Sequence, residues 1–392
     1  MGSELGSGLT SLFVVTLVAA VAPVVVGLLG RLRVPQVVVL LVGGVIVGPH
    51  VLGLADPDSI ALLSNVGLGF LFLLAGYELE LSLFRQRAGG LAVTGWLVSA
   101  ALAAAVVGGL AALGVVRAFL PVALGLTTTA LGTLLPILRD NDMLRGRFAP
   151  YVLAAGAVGE FLPVVAIAIL LGSYGRFVGL FSLVGMGLFA LLLAVALPRL
   201  VRGRRISRIL SEGEDATSQL TLRWTIALLL LLLVVASDFG LDVVLGAFVA
   251  GVVLRHWAPG NIQGLERKLD TIGYGFFIPI FFVSSGMGLA VESIAKAPAR
   301  LFLFFFLLLI VRGLPTLLVY RNALPWARRF ELVFIVSTAL PVLVALTTIG
   351  LETGKMLPEN AAALVGAGAL SVLVYPSLAV SVDHRNRARR GR

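Results

Sequence analysis

The run PYVLAAGAVGEFLPVVAIAILLG (150–172) decides how this chain is read. It is long enough to cross a bilayer, which takes about 20 apolar residues. It carries one ionisable side chain, Glu160, at its centre. A second run, LFLFFFLLLIVRGLPTLLVY (301–320), carries Arg312 in the same place. An ionised side chain at mid-span costs about 2.5–3.5 kcal/mol to insert. Nearly all other charges avoid the apolar runs, so one acid and one base kept at mid-depth point to use in an ion or proton pathway. A buried Glu–Arg pair of purely structural purpose is the alternative.

The rest of the chain supports a membrane setting. Apolar residues make up 59%, charged residues 13%, and mean hydropathy is +1.05. A soluble domain is about 25% charged. Long unbroken apolar runs exclude a β-barrel, whose segments are short and alternating. The chain has no cysteine, which excludes disulfides, thiol chemistry and a Cys-based metal site. His50, His256 and His384 are scattered and read as interfacial residues. No amphipathic stretch or nucleotide-binding Gly-rich loop is expected outside the apolar runs, and neither a cofactor nor an enzymatic reaction is expected. The N-terminus has no basic residue before its first apolar run, so it does not read as a cleaved signal peptide. Gly6 stands where a myristoylation signal wants Ser or Thr.

The hydropathy pattern predicts an all-α polytopic protein of about thirteen transmembrane segments: 9–29, 34–54, 60–80, 90–113, 117–138, 149–172, 176–198, 222–237, 240–256, 271–291, 299–321, 329–350 and 359–382. The eighth and ninth are short and separated only by 237–240, so they also read as one broken segment. Basic residues test the order. Only Arg117, Arg176, Lys296, Arg300 and Lys355 follow even-numbered segments; apart from Arg223 and Arg312, the others follow odd-numbered ones. The positive-inside rule then places the odd connections in the cytoplasm, the N-terminus outside and the C-terminus inside a cell inner membrane. The net charge of +10 is thus topological and does not signal nucleic acid.

The longest polar stretch, 199–221, reads as a cytoplasmic linker between 1–198 and 222–382, with 383–392 a basic cytoplasmic tail. The two halves share motif order. GGVIVG (43–48) matches GAFVAG (246–251), FLLAGYEL (72–79) matches FVSSGMGL (282–289), and TTAL (128–131) matches STAL (337–340), at offsets of 203, 210 and 209. Segments 1–6 then pair with 8–13. A separation of seven segments flips the second unit, which predicts two inverted-topology six-helix repeats, an architecture of alternating-access transporters.

Four pieces converge on mid-depth. They are Glu160 between Gly159 and Pro163, Arg312 before Gly313 and Pro315, the hydroxyl cluster Thr127-Thr128-Thr129, and its counterpart Ser337-Thr338 before Pro341. Hydroxyls with a nearby Pro suggest interrupted helices, whose free carbonyls suit a dehydrated cation. Glu160, Thr128, Thr129, Ser337 and Thr338 are therefore the candidate cation and proton ligands, with Arg312 as core charge partner. Ser and Thr in membrane helices also commonly bond to their own backbone. Glu78, with Arg85 nearby, reads as interfacial, and Glu331 as an N-terminal helix charge.

At these residues the chain resembles the monovalent cation:proton antiporter superfamily, closest to the branch of sodium/proton exchangers and potassium-efflux antiporters. The resemblance rests on PQVVVLLVGGVIVGPHVLG (35–53), LGFLFLLAGYELE (68–80), TTTALGTLLPILRD (127–140), LGAFVAGVVL (245–254) and IPIFFVSSGMGL (278–289). It implies a homodimer with a dimerisation domain and a mobile core holding two crossing unwound helices. The family's ion-binding acid falls at Glu160 and its core Lys or Arg at Arg312. Members usually carry Asp at the first position, with Asp, Asn or Gln before it; here the pair is Gly159-Glu160. The reading is a secondary active antiporter in the lipid bilayer. It exchanges Na+ (K+ and Li+ being the alternatives) for H+, one for one, at Glu160. A cation channel and a sodium-coupled organic-anion symporter of related fold are the other classes.

Overall fold

The computed structural model describes residues 2–29, 34–79, 85–116, 118–144, 146–171, 176–201, 219–239, 241, 243–257, 262–296 and 298–390. Most of the expected linker, residues 202–218, lies outside them. The described residues form helices and no strand, and each apolar segment expected from the sequence overlaps a helix. Four helices come first: α1 (Gly2–Leu28), α2 (Gln36–Val47), α3 (Ala61–Glu78) and α4 (Arg87–Ala112). A broken pair follows, α5 (Phe119–Gly125) and α6 (Leu131–Asp140), then α7 (Ala149–Leu171) and α8 (Arg176–Val201). After the linker come α9 (Leu220–Asp238) and α10 (Val243–Trp257). α11 (Ile262–Ile272) runs through a π-helical turn, Gly273–Phe277, into α12 (Ile278–Met287). Beyond the short α13 (Val291–Lys296), α14 (Pro298–Leu307) runs through a second π-helical turn, Leu308–Gly313, into α15 (Pro315–Val319). The last elements are a second broken pair, α16 (Trp326–Val336) and α17 (Pro341–Glu352), and the long α18 (Pro358–Arg390). Among the described residues, nine helical stretches are long and apolar enough to cross a membrane.

The eighth and ninth segments are two helices and not the single broken segment that was the alternative: α9 and α10 fold back on each other, and a Cβ on Gly246 would collide with the carbonyl of Leu232 and the methyl of Ala236. One sequence expectation is corrected. The tenth segment begins earlier than its apolar run, because α11 is amphipathic and buries Leu265 and Leu269 while carrying Glu266, Arg267, Lys268 and Asp270.

Proline explains both π-helical turns. Pro279 and Pro315 each lack the N–H that would bond the carbonyl four residues earlier. Each sits two residues past a turn that widens to i→i+5 bonding, as when Leu314 N–H reaches Leu309 O at 3.0 Å.

Glycine sets the closest contacts. A Cβ on Gly44 would collide with the carbonyl of Val283, and one on Gly286 with that of Leu41, so α2 and α12 meet backbone to backbone. A Cβ on Gly76 would collide with Phe248 O and one on Gly251 with Leu73 O, so α3 and α10 do the same. Such small-residue contacts are how membrane helices gain packing when lipid is as apolar as leucine. The partners are the motifs noted above, taken crosswise: 43–48 packs on 282–289, and 72–79 packs on 246–251.

The apolar side chains form two bodies that meet at α7. One cluster is centred on α1–α3, α9, α10 and α12 and continues into α5–α8, α11, α17 and α18. Two others join α4–α7 with α14–α18. Glu331, expected as a helix-end charge, is instead fully buried. Arg328 donates to it and to the buried Asp383, and Asn386 donates to it at 2.8 Å, which ties α16 to the end of α18.

Candidate ion-binding site

Glu160 lies midway along α7 on the seam between the two bodies. Three residues on, Pro163 has no N–H to offer Gly159 O, and that carbonyl accepts the Thr129 N–H at 2.9 Å instead. Thr129 belongs to the break between α5 and α6, residues 126–130. The next N–H, of Ala130, donates to Thr338 O at 2.7 Å, in the break between α16 and α17 at 337–340. The two interrupted helices, expected from the paired hydroxyl clusters, therefore cross through their own freed backbone groups, as the family resemblance implied. Ser371 Oγ accepts the Ala339 N–H at 3.0 Å, completing the crossing from α18.

Arg312 is 2% exposed and does not pair with Glu160. Its Nε donates to Thr129 Oγ1 at 3.0 Å and its Nη2 to Ala155 O at 2.9 Å. The seat exists because residue 159 is glycine. A Cβ there would stand 2.5 Å from Arg312 Nη2 and would collide with Thr129 Oγ1. The guanidinium fills the place that a side chain before Glu160 would take.

The four hydroxyl candidates Thr128, Thr129, Ser337 and Thr338 are all 0% exposed, and none lines the cavity beside Glu160. Three bond to their own helices: Thr128 to Gly125 O at 2.8 Å, Ser337 to Val333 O at 2.7 Å and Thr338 to Phe334 O at 3.1 Å. Thr129 alone reaches across, donating to Val336 O at 2.7 Å while accepting from Arg312.

Glu160 is half-buried and faces a cavity of about 1080 Å³. One wall is α2, α3 and α11–α12, with Leu40, Ala75, Glu78, Asp270, Tyr274 and Phe282; the other is α6 and α7, with Leu131, Thr133, Ala157 and Glu160. Arg139, Arg255 and Glu266 also line it. A pocket of about 20 Å³, lined by both Glu78 and Glu160, has room for a single water-sized occupant. Sequence reasoning placed Glu78 at the membrane interface because it ends an apolar helix. Its place at the end of α3, two residues past the Gly76 contact with α10, turns it inward instead. Among the described residues, the charges of Asp270, Glu266, Arg139 and Arg255 bear on Glu78, and that of Glu78 bears on Glu160. Thr133 and Tyr274 were not found in the sequence, where neither a lone Thr nor a Tyr at an apolar border stands out. Among the described residues no group of three or more His, Asp or Glu is arranged to hold a metal.

With this geometry in place, comparison with known proteins is informative. The pattern of the transmembrane sodium/hydrogen exchanger family matches residues 14–381. The chain is 24% identical to "Putative Na(+)/H(+) antiporter YjbQ" of Bacillus subtilis, over 94% of this chain and 62% of that protein. It is 25% identical to "Probable Na(+)/H(+) antiporter 3" of Methanocaldococcus jannaschii, over 70% and 71%. It is 30% identical to "Cation/H(+) antiporter 17" of Arabidopsis thaliana, over 69% of this chain and 35% of that protein. The chain thus spans less than two thirds of the Bacillus and Arabidopsis relatives. The sodium proton antiporter MjNhaP1 from Methanocaldococcus jannaschii shares the fold, with a TM-score of 0.65 over 96% of this chain and 97% of that one, at 17% identity.

Proposed function

This chain belongs to the sodium/hydrogen exchanger family, and from that premise we propose that it is a secondary active monovalent cation/proton antiporter with Glu160 as the exchanging group. One observation carries the reading: Glu160 faces the cavity midway along α7 with no ion pair among the described residues. A carboxylate so placed is neutralised either by a proton or by a cation. Arg312 keeps its charge close by and bonds elsewhere, so it does not compete for the carboxylate. Either occupant leaves the site neutral enough to cross between access states, and the empty ionised site crosses poorly.

The seam between the bodies is where relative movement would open and close the site. Arg312 and the Thr129, Ala130 and Gly159 bonds join α5–α7, α14–α15 and α16–α17, which supports their moving together. The cavity carries Arg139 and Arg255, on the side that the positive-inside rule assigns to the cytoplasm, so we read this conformation as open inward with the N-terminus outside. The reciprocal packing of the repeated motifs, with 128–131 meeting 337–340 on the axis, supports inverted repeats within 1–198 and 222–382. Glu78, Asp270 and Glu266 on the cavity wall repel organic anions and favour a cation. We propose Na+ as the favoured cation, with K+ and Li+ as competitors, in a homodimer of the inner membrane.

The test is purified protein in liposomes with a trapped pH dye, titrated with Na+, K+ and Li+. The wild type is expected to move protons against each gradient it accepts. Glu160→Gln is expected to lose exchange to background while keeping its melting temperature. Wild-type exchange by that variant would overturn the site.

A further inference from the structure

Tyr274 sits in the first π-helical turn, and three contacts fix that turn. Phe277 stacks on Phe70 with ring centroids 4.7 Å apart, a Cβ on Gly67 would collide with the carbonyl of Phe277, and Gly273 is buried against Leu74. The widened turn leaves Tyr274 47% exposed, with its ring in the cavity. Its hydroxyl lies over the start of α6, 3.9 Å from where a Cβ on Gly132 would stand. The charges of Glu78, Glu160 and Asp270 all bear on it, and it makes no hydrogen bond among the described residues. The phenol thus projects from one wall of the cavity, α11–α12, toward the other, in the cavity that Glu78, Glu160 and Asp270 also line.

We infer that Tyr274 is a specificity-determining ligand: its phenolic oxygen replaces a hydration water of the cation on its way to Glu160 and helps set which cation is accepted. The inference rests on the antiport reading above. A hard cation needs oxygen ligands as it sheds water, and in this cavity the hydroxyls of both helix breaks are already bonded and fully buried. Besides the carboxylates, the side-chain oxygens on the cavity wall are those of Gln36, Tyr77, Thr133 and Tyr274, and of the two phenols it is that of Tyr274 that lies over the start of α6, on the Glu160 wall. A more tightly hydrated cation loses more when one such oxygen is withdrawn, so Na+ depends on Tyr274 more than K+ does.

The experiment compares wild type, Tyr274→Phe and Tyr274→Gln in dye-loaded liposomes, with Na+ and K+ titrated separately. Tyr274→Phe keeps the ring and removes only the oxygen. It is expected to raise the apparent KM for Na+ about fivefold and to change the maximal rate by less than about twofold. The preference for Na+ over K+ falls accordingly. Tyr274→Gln returns an oxygen without the ring and is expected to recover part of the lost Na+ affinity. An unchanged KM and an unchanged Na+/K+ ratio in Tyr274→Phe overturn the inference. So does a loss of maximal rate at constant KM in both variants, which is the mark of packing. A wild type that exchanges nothing overturns the antiport reading itself and is recognised as such, because it does not depend on position 274.

Discussion

Thr129 does two jobs with one oxygen, and this separates it from the other hydroxyls at the crossing. It donates to Val336 O and accepts from the Arg312 guanidinium, both across helices and both fully buried. Replacing it with Val removes a charge-assisted hydrogen bond worth about 1.5–3 kcal/mol and leaves Val336 O without that donor. The Thr338 hydroxyl bonds only to its own helix, and side-chain hydrogen bonds in membrane proteins average about 0.6 kcal/mol. Thr129→Val is therefore expected to lower the melting temperature of the purified protein clearly, and Thr338→Val to leave it nearly unchanged. Equal melting temperatures for the two would contradict the joint drawn here. Glu160 and Arg312 were legible in the sequence because an isolated charge in an apolar run has few explanations. Their relation was not. Sequence places both at mid-depth, which suggests an ion pair, but the side chain removed at Gly159 opens a seat that turns the guanidinium toward Ala155 O. Glu78 was misread for the opposite reason: at the end of an apolar helix it looks solvated, and only the α3–α10 contact shows that it faces the cavity.

Glycine tells which helices touch, and the claim is open to direct test. On α10, a Cβ at Gly251 would collide with Leu73 O and approach Tyr77 N to 2.6 Å. Backbone cannot yield as a side chain does, so Gly251→Ala must separate α3 from α10, an overpacking change that costs about 1–3 kcal/mol. On α4, Gly109 has nothing within 4 Å of its Cβ position. Gly109→Ala trades a poor helix former for the best one, a gain of up to about 1 kcal/mol. The pair should move melting temperature in opposite directions. A stable Gly251→Ala would mean that the two helices are farther apart than described. Helix existence and the two breaks were readable from hydropathy and from Thr/Ser clusters beside Pro. The π-helical turns were not, although Pro279 and Pro315 signal them in retrospect, because a proline in an apolar run equally predicts a kink or a helix start. The start of α11 was hidden because its amphipathic pattern has mean polarity, not apolarity, as its main feature.

Charge accounting over the described residues gives the stoichiometry expected on the antiport reading. A carrier moves as many protons as it has groups that release one between access states. Three charged groups stand near the crossing: Glu160, Glu78 and Arg312. Arginine stays protonated under any transport condition, and Arg312 bonds to Thr129 and Ala155, not to Glu160. Glu78 differs from Glu160 in its place, since it ends α3 on the cavity wall among Arg139, Arg255, Glu266 and Asp270, whereas Glu160 stands midway along α7. On the proposed mechanism Glu78 keeps one protonation state through the cycle and Glu160 exchanges its proton for a cation. Gly159 matters again, because an acid there would supply a further proton carrier and would also evict Arg312. The expected outcome is electroneutral exchange, one proton for one monovalent cation. In liposomes with the membrane potential clamped, the rate should be the same at either sign of potential, and flux should reverse where the cation and proton gradients are equal. A second prediction follows from the same accounting: Glu78→Gln should alter the apparent cation affinity, because it removes a negative charge that acts on Glu160, without displacing that reversal point. A reversal point displaced from equality in the wild type, and returned to it by Glu78→Gln, would make Glu78 the second proton carrier and would refute the single-carboxylate mechanism while leaving the cavity and its ligands as described.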